Sequence, residues 1–297
     1  MTRWFGLLGL GLLATAALVS LPPTAAAQQA APAVGHILLI VLENKEYDRV
    51  IGSPDAPYLN ALASQYAVAD AYYGVRHPSL PNYLALLGGD TFRTRSDCTT
   101  CFVDAPNLVD ALEAVGKTWK SYQEDLPSPC FLGTSAGGYV LKHNPFLYFR
   151  DIREDPDRCQ RVVPLAEFAD DLQAGSLPDL AWVTPNLRHD MHDGSVAEGD
   201  HWLESFVPPI LASDAWRQDG LLLITWDEGT SNARCCGMAA GGHTPLLLIA
   251  PQGVPGYHSP VPATHYSVLR TIEDLWGLGY LGHSGDPDVQ PLLDVFG

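Results

Sequence analysis

Ser79 stands between Pro78 and Leu80-Pro81, at the head of an apolar run that continues to Leu87. Proline is tolerated in the first turn of a helix and serine is a favoured N-cap. The stretch therefore reads either as a capped helix or as a nucleophile at the positive end of one, where phosphate binds. A serine hydroxyl is a weak nucleophile at neutral pH and needs activation. Metal-ligand residue types recur after apolar runs elsewhere in the chain: Glu43-Asn44, the segment Asn186-Leu-Arg-His189-Asp190-Met-His192-Asp193, and Asp227-Glu228, with His243 ahead of a fourth run. Any one acid at a strand end is commonly a turn former or a cap, and His189 and His192 could lie in a surface loop. Several such acids at one place repel one another unless protons or a cation intervene.

A divalent cation resolves that repulsion and explains the serine, since it can lower a hydroxyl pKa and hold a phosphoryl oxygen. Oxygen ligands suit Mg²⁺, Ca²⁺ or Mn²⁺, and added imidazoles admit Zn²⁺. Protonation of a leaving group needs an acid, for which His192, Asp190 and His265 are candidates. Other serine chemistries fit less well. No G-x-S-x-G elbow surrounds Ser79, and no Walker-type phosphate loop is present.

The elements that must hold these groups follow from the apolar pattern. Residues 36–42, 180–184, 221–226 and 245–250 are continuous β-rich apolar runs, as expected of strands buried on both faces of a parallel sheet. Helical spacing joins Leu108, Ala111, Leu112 and Val115, with Gly116 placed to stop the helix. It also joins Leu203 through Leu211, where Pro208-Pro209 is expected to distort it, and Leu269 through Trp276, with Thr264 as cap. Strands alternating with helices predict an α/β sandwich with a mostly parallel central sheet and helices on both faces. Ligands of such sheets bind beyond the strands' carboxyl ends, where the acids stand.

Residues 1–27 carry one charge, Arg3, then an apolar stretch and Ala25-Ala26-Ala27. This reads as an export signal, with a retained anchor as the alternative. Residues 28–297 then form one domain, with an irregular insertion or lid around 117–170. The chain's net charge is −17, and −18 without the signal (16 basic against 34 acidic residues). Such a surface suits a secreted or periplasmic protein and opposes binding to nucleic acid or insertion into anionic membranes. The six cysteines are expected as disulfides: Cys98–Cys101, Cys130–Cys159, and Cys235–Cys236 either vicinal or linked elsewhere.

The segments VLENKEYDRVIG, HPSLPNYLALLGGDTF, NLRHDMHDGSVAEGDHWL, TWDEG and THYSVLRTIEDLWGL together resemble the bacterial secreted acid phosphatases. These sit in the phosphoesterase family that also contains phosphocholine-preferring phospholipases C, a branch of the alkaline phosphatase superfamily. The resemblance implies an alkaline phosphatase-like fold, Ser79 as the phosphorylated nucleophile, and Glu43, Asn44, Asp227 and Glu228 as metal ligands. It implies substrate contacts from His77, Asn82 and His265, and catalytic parts for Asp190 and His192. The family's N-D-M-H-D motif has His189 in place of its Asn. Asp227-Glu228 in place of Asp-His favours one hard metal, with His189, His192 and His243 leaving a second site open. The implied activity is hydrolysis of a phosphorylated small molecule or phospholipid head group. The rivals are a phospholipase C-type diesterase and an exported protein that binds phosphate or phospholipid without turnover.

Overall fold

His36–Leu42 forms the central strand, β1, and its alternating side chains serve two cores. Ile37, Leu39 and Val41 join the apolar cluster on one face, and Leu38, Ile40 and Leu42 join that on the other. A strand with both faces covered can be apolar throughout, which is why this run shows no polar alternation. The structure is a computed structural model that describes residues 1, 2, 4, 32–237 and 239–297. The segment read as an export signal lies outside the described residues apart from 1, 2 and 4. No described helix is long and apolar enough to cross a membrane.

Eight strands make the main sheet: β1, β2 (Ala67–Ala69), β3 (Trp119–Gln123), β4 (Val162–Pro164), β5 (Leu180–Thr184), β6 (Gly220–Trp226), β7 (Leu246–Ile249) and β8 (His258–Ser259), in the order β8-β2-β7-β6-β1-β5-β3-β4. β1 pairs in parallel with β5 and β6, placing Ile40 beside Val183 and Ile224. β7 alone runs antiparallel, against both β6 and β2. The sheet is thus mostly parallel, as expected, but the fourth apolar run is reversed. An apolar run carries no direction, so the sequence could not show this. Two strands, β3 and β4, come from the stretch expected as an insertion or lid, so part of 117–170 builds the sheet's far half. Trp119, Ser121, Tyr122 and Gln123 are buried there, and mixed polar and aromatic residues hide a strand from a periodicity search.

Helices cover both faces. Over one lie α2 (Ser79–Gly88), α3 (Leu108–Ala114) and α6 (His265–Trp276), packing Leu80, Tyr83, Leu84, Leu112, Leu269 and Ile272 inward. Over the other lie α1 (Pro57–Gln65), α4 (Ala166–Ala174) and α5 (Val196–Ala212), through Leu59, Phe168, Leu203, Val207 and Ile210. Thr264 caps α6, its side chain accepting from the Tyr266 amide. α5 runs on through Pro208-Pro209, close to its C-terminal end. α2 stops at Gly89, where φ is +72° and a Cβ would meet the Leu281 carbonyl at 1.9 Å; only glycine fits. Disulfides join Cys98–Cys101, Cys130–Cys159 and the neighbours Cys235–Cys236.

Candidate active site

The carboxyl ends of β1, β5 and β6 deliver the three acid-bearing segments to one edge of the sheet. Because β7 is antiparallel it begins at that same edge, which is how His243 arrives there. α2 points its N-terminus at the cluster. Pro78, with no side-chain acceptor, occupies the N-cap position, and Ser79 is the first helical residue. The cap comes from far along the chain: Asp97 Oδ1 accepts from the Leu80 amide at 3.1 Å. Ser79 is therefore not the cap, and its buried hydroxyl is left to donate to Glu43 Oε2 at 3.1 Å.

Glu43 is the hub. Its Oε2 also accepts from Asn44 Nδ2 at 2.7 Å, and its Oε1 accepts from the Tyr83 hydroxyl at 2.8 Å. His143 Nε2 lies 2.9 Å from Oε1, while His143 Nδ1 lies 3.1 Å from Asp190 Oδ2. Glu43, Tyr83, His143 and Asp190 are buried, and Asn44 is half-buried. Burial raises the pKa of Glu43, but His143, Tyr83 and Lys142 together carry it below its ordinary value. Burial also disfavours the charged ring of His143, and Glu43 with Asp190 outweigh it, holding the ring up at about 9. The Tyr83 ring stacks on His143, with centroids 5.4 Å apart.

Asn44 adopts a left-handed backbone at φ +55°, which Asn tolerates better than most residues. That turn aims its amide N–H at Asp227 Oδ1, 3.1 Å away. Asp227 Oδ2 is buried with no hydrogen-bond partner among the described residues. Burial, then the charges of Glu43 and Glu228, push Asp227 well above the usual carboxylate range. Burial with Glu43 and Asp97 pushes Glu228 up to about 8. An orphaned buried carboxylate oxygen among repelling acids is the donor set a divalent cation satisfies. Glu43, His143 and His192 also offer one ligand atom each within 4.8 Å of one another. The residues present fit a bound divalent cation.

Lysine and histidine side chains lie beside the cluster. Lys142 Nζ contacts Asp97 Oδ2 at 3.1 Å and His192 Nε2 at 3.2 Å. His192 Nε2 thus faces the Lys142 ammonium, and its Nδ1 lies 2.8 Å from Asp193 Oδ1. Lys45 Nζ donates to the Met191 carbonyl at 2.6 Å. His77 bridges Glu228 Oε2 at 2.9 Å and the Ser231 carbonyl at 2.8 Å.

Several expected site residues face inward. Asn82 is fully buried; its Oδ1 accepts from the Val75 and Arg76 amides, and its Nδ2 donates to the Arg76 carbonyl and to Glu228. It staples the turn that carries Ser79 and has little left for a substrate. His265 is buried, with Nδ1 against the Tyr72 hydroxyl and Nε2 against the Asp227 carbonyl. Burial brings its pKa down to about 4, so it is neither a substrate contact nor an acid near neutral pH. Asp190 is sealed beneath His143 and accepts from the His192 amide at 2.7 Å; this placement orients His143 and keeps the carboxyl from a leaving group. His189 pairs with Glu124 at 2.9 Å. His243 stacks between Tyr47 and Tyr73, its Nε2 2.9 Å from the Asp70 carbonyl. Neither joins the carboxylate cluster.

His143, Lys142, Tyr83, Asp97 and Lys45 are the residues sequence reasoning missed. Tyr83 had a signal: it stands four residues after Ser79, on the same helical face. His143 had none, lying in a stretch without periodicity.

Residues 53–279 match the sequence profile of the Phosphoesterase family. The phosphatidylinositol-3-phosphatase of Mycobacterium tuberculosis is 33% identical over 293 residues, spanning 97% of this chain and 93% of its own length. A probable acid phosphatase of Kluyveromyces lactis is 33% identical over 274 residues, 87% of this chain and 62% of the yeast protein. Among solved structures, phosphonate monoester hydrolase of Agrobacterium radiobacter superposes with a TM-score of 0.59 at 15% identity, over 88% of this chain and 77% of that one. A protein in the alkaline phosphatase superfamily from Vibrio parahaemolyticus does so with a TM-score of 0.59 at 15% identity, over 87% and 72%. At such identities the likeness is one of fold.

Proposed function

This chain is an enzyme of the Phosphoesterase family, and from that membership we propose that it hydrolyses phosphate monoesters through a phosphoserine formed on Ser79. One observation carries the reading: the Ser79 hydroxyl lies at the N-terminus of α2, 3.1 Å from Glu43, the hub of the buried carboxylates. Glu43, Asn44, Asp227 and Glu228 would hold a divalent cation. When bound, the cation lowers the pKa of a neighbouring hydroxyl and neutralises charge on a phosphoryl oxygen. Glu43 orients the Ser79 hydroxyl for in-line attack on phosphorus and accepts its proton; the P–O bond to the leaving group breaks as the Ser79 Oγ–P bond forms. Lys142 and the first-turn amides of α2 stabilise the charge that develops on the phosphoryl oxygens. His192, half-exposed at the rim, is the group placed to exchange a proton with the leaving oxygen, with Asp193 on its Nδ1 side. Water then hydrolyses the phosphoserine. His143 and Asp190 act behind Glu43, holding its carboxylate in place.

The substrate is a phosphorylated small molecule or a phospholipid head group, a class to which the name of the mycobacterial relative also points. Three disulfides and the apolar segment before Gln28 support export, since disulfides persist in oxidising compartments.

The test is phosphate release from p-nitrophenyl phosphate. Wild type should be active, lose activity on chelation and regain it when one of Mg²⁺, Ca²⁺, Mn²⁺ or Zn²⁺ is returned. Ser79→Ala should fold and lose on the order of 10³-fold or more in kcat. Acid quench during turnover should trap label from phosphate on wild type and not on the variant. Full activity of Ser79→Ala would overturn the reading.

A further inference from the structure

Met191, the neighbour of His192, has φ at +78°, a left-handed backbone that methionine rarely adopts. A Cβ crowds the following carbonyl there, a cost glycine escapes. Of the seven described non-glycine residues with positive φ, Met191 alone is buried. Such a turn persists only where its surroundings hold it, and here three contacts do. Lys45 Nζ donates to the Met191 carbonyl at 2.6 Å, while the Lys45 amide donates to the Glu228 carbonyl at 3.1 Å. One residue thus ties the turn to the ends of β1 and β6. The His192 amide donates to Asp190 Oδ1 at 2.7 Å. The Met191 side chain joins the apolar cluster beneath α5 and lies against Gly199. A Cβ at Gly199 would stand 2.5 Å from both Cγ and Cε of Met191. Glycine weakens a helix interior; in α5 it leaves the room that the methionine fills.

We infer that Met191 is a positioning residue: its side chain, lodged against Gly199, holds the left-handed turn that aims the His192 ring at the leaving oxygen. The inference rests on the phosphomonoesterase reading above, in which His192 gives the leaving oxygen a proton as its bond to phosphorus breaks. The turn sets the ring with Nε2 3.2 Å from Lys142 Nζ, the cation assigned to the phosphoryl group. A change of φ at 191 swings the next side chain as a unit, and proton transfer works only within hydrogen-bond reach. Core filling alone would also bury a methionine here, and the two roles part over glycine at 191. Glycine takes positive φ freely and fills no space; alanine fills little space and still carries the Cβ that strains the turn. If Met191 only fills the core, glycine is at least as damaging as alanine. If it holds the turn, alanine is the more damaging to the work of His192.

The test is the ratio of kcat/KM for phenyl phosphate to that for p-nitrophenyl phosphate. The two esters differ by one nitro group, and phenolate, the more basic leaving group, depends more on a proton donor. His192→Gln should lower the ratio on the order of tenfold or more. Met191→Ala and Gly199→Ala should each lower it about fivefold, and Met191→Gly less than about twofold. Thermal unfolding shows which variants are folded at the assay temperature. Gly199→Ala keeps the methionine and improves the helix, so it tests the turn even where a Met191 variant fails to fold. Ratios within about twofold of wild type for Met191→Ala and Gly199→Ala, beside a fall in His192→Gln, would overturn the inference; so would an equal fall in Met191→Gly and Met191→Ala. An unchanged ratio in His192→Gln would overturn the part given to His192, and the inference with it. A wild type inactive on both esters would instead refute the phosphomonoesterase reading on which both stand.

Discussion

Replacing His143 with Gln isolates the electrostatic core of the site. The ring bridges Glu43 and Asp190 at 2.9 and 3.1 Å and is fully enclosed. Burial opposes its charge, yet the two carboxylates hold its pKa up at about 9, against 6.5 in a free chain. At 1.36 kcal/mol per pKa unit, that difference amounts to roughly 3 kcal/mol of stability from the charged ring. The folded value is the raised one, so the contribution is complete below pH 6.5, declines as pH rises, and is gone above about 9. Gln keeps a donor but no charge. The gap between wild type and His143→Gln should therefore be on the order of 3 kcal/mol at pH 6, or about 6–12 °C in Tm for a domain of this size, and should narrow steadily to pH 9. Glu228, held near 8, titrates in both proteins and largely cancels in the difference. Urea and thermal unfolding at pH 6, 7.5 and 9 would measure the gap, with chelator throughout so that no cation competes for Glu43. A gap under 1 kcal/mol at pH 6, or one that widens with pH, would refute the account of His143 as the charged partner of two buried acids.

Two further outcomes test the fold around the site. Glu273 on α6 is buried, accepts from the Leu281 amide at 2.9 Å and leaves Oε2 without a partner among the described residues; burial chiefly pushes its pKa up to about 7. Its folded pKa is raised, so wild type should lose stability, on the order of 2 kcal/mol, as pH climbs from 4.5 through 7; Glu273→Gln should flatten that slope and be the more stable protein at pH 8 in parallel unfolding curves. Removing the Cys130–Cys159 bridge with Cys130→Ser/Cys159→Ser frees a loop with a sequence separation of 29 and should cost about 3–4 kcal/mol in urea unfolding.

The legible and illegible parts of this chain divide along a physical line. β1, β5 and β6 were readable because a strand buried on both faces must be apolar at every position, and the first polar residues after it mark where the chain leaves the core. That is why Glu43, Asp227 and Glu228 could be singled out, and why they meet. The reversal of β7 was unreadable because its pairing depends on which edge the chain returns to. Of the two readings of Ser79, the cap gives way to Asp97, which tertiary structure brings to the Leu80 amide, a partner no local pattern records. Asn82 and His265 were found by motif, yet residue type does not reveal that their polar atoms already have buried partners. His143 lies 100 residues from Glu43 in sequence; β3 beside β5 directs the intervening chain over the cluster, and no local pattern records that.

The balance of charge at the site gives the strongest reason to pair a cation with Ser79. Five carboxylates gather there, from Glu43, Asp97, Asp190, Asp227 and Glu228, against three cationic side chains, Lys45, Lys142 and His143. The chain has only four lysines in all and a net charge of −17, so placing two of them here compensates the acids instead of serving general solubility. The deficit is two negative charges. Protons can cover it, and the raised pKa values of Asp227 and Glu228 register that route when no cation is present. A single divalent cation covers it as well, and also satisfies the orphaned Asp227 oxygen, which a proton on the neighbouring Glu228 would leave bare. The two routes differ in what they do for the serine: only the second adds a positive centre, beyond Lys142 and His143, beside the hydroxyl that Glu43 already holds, and such a centre favours the approach of a phosphate ester to a strongly acidic protein.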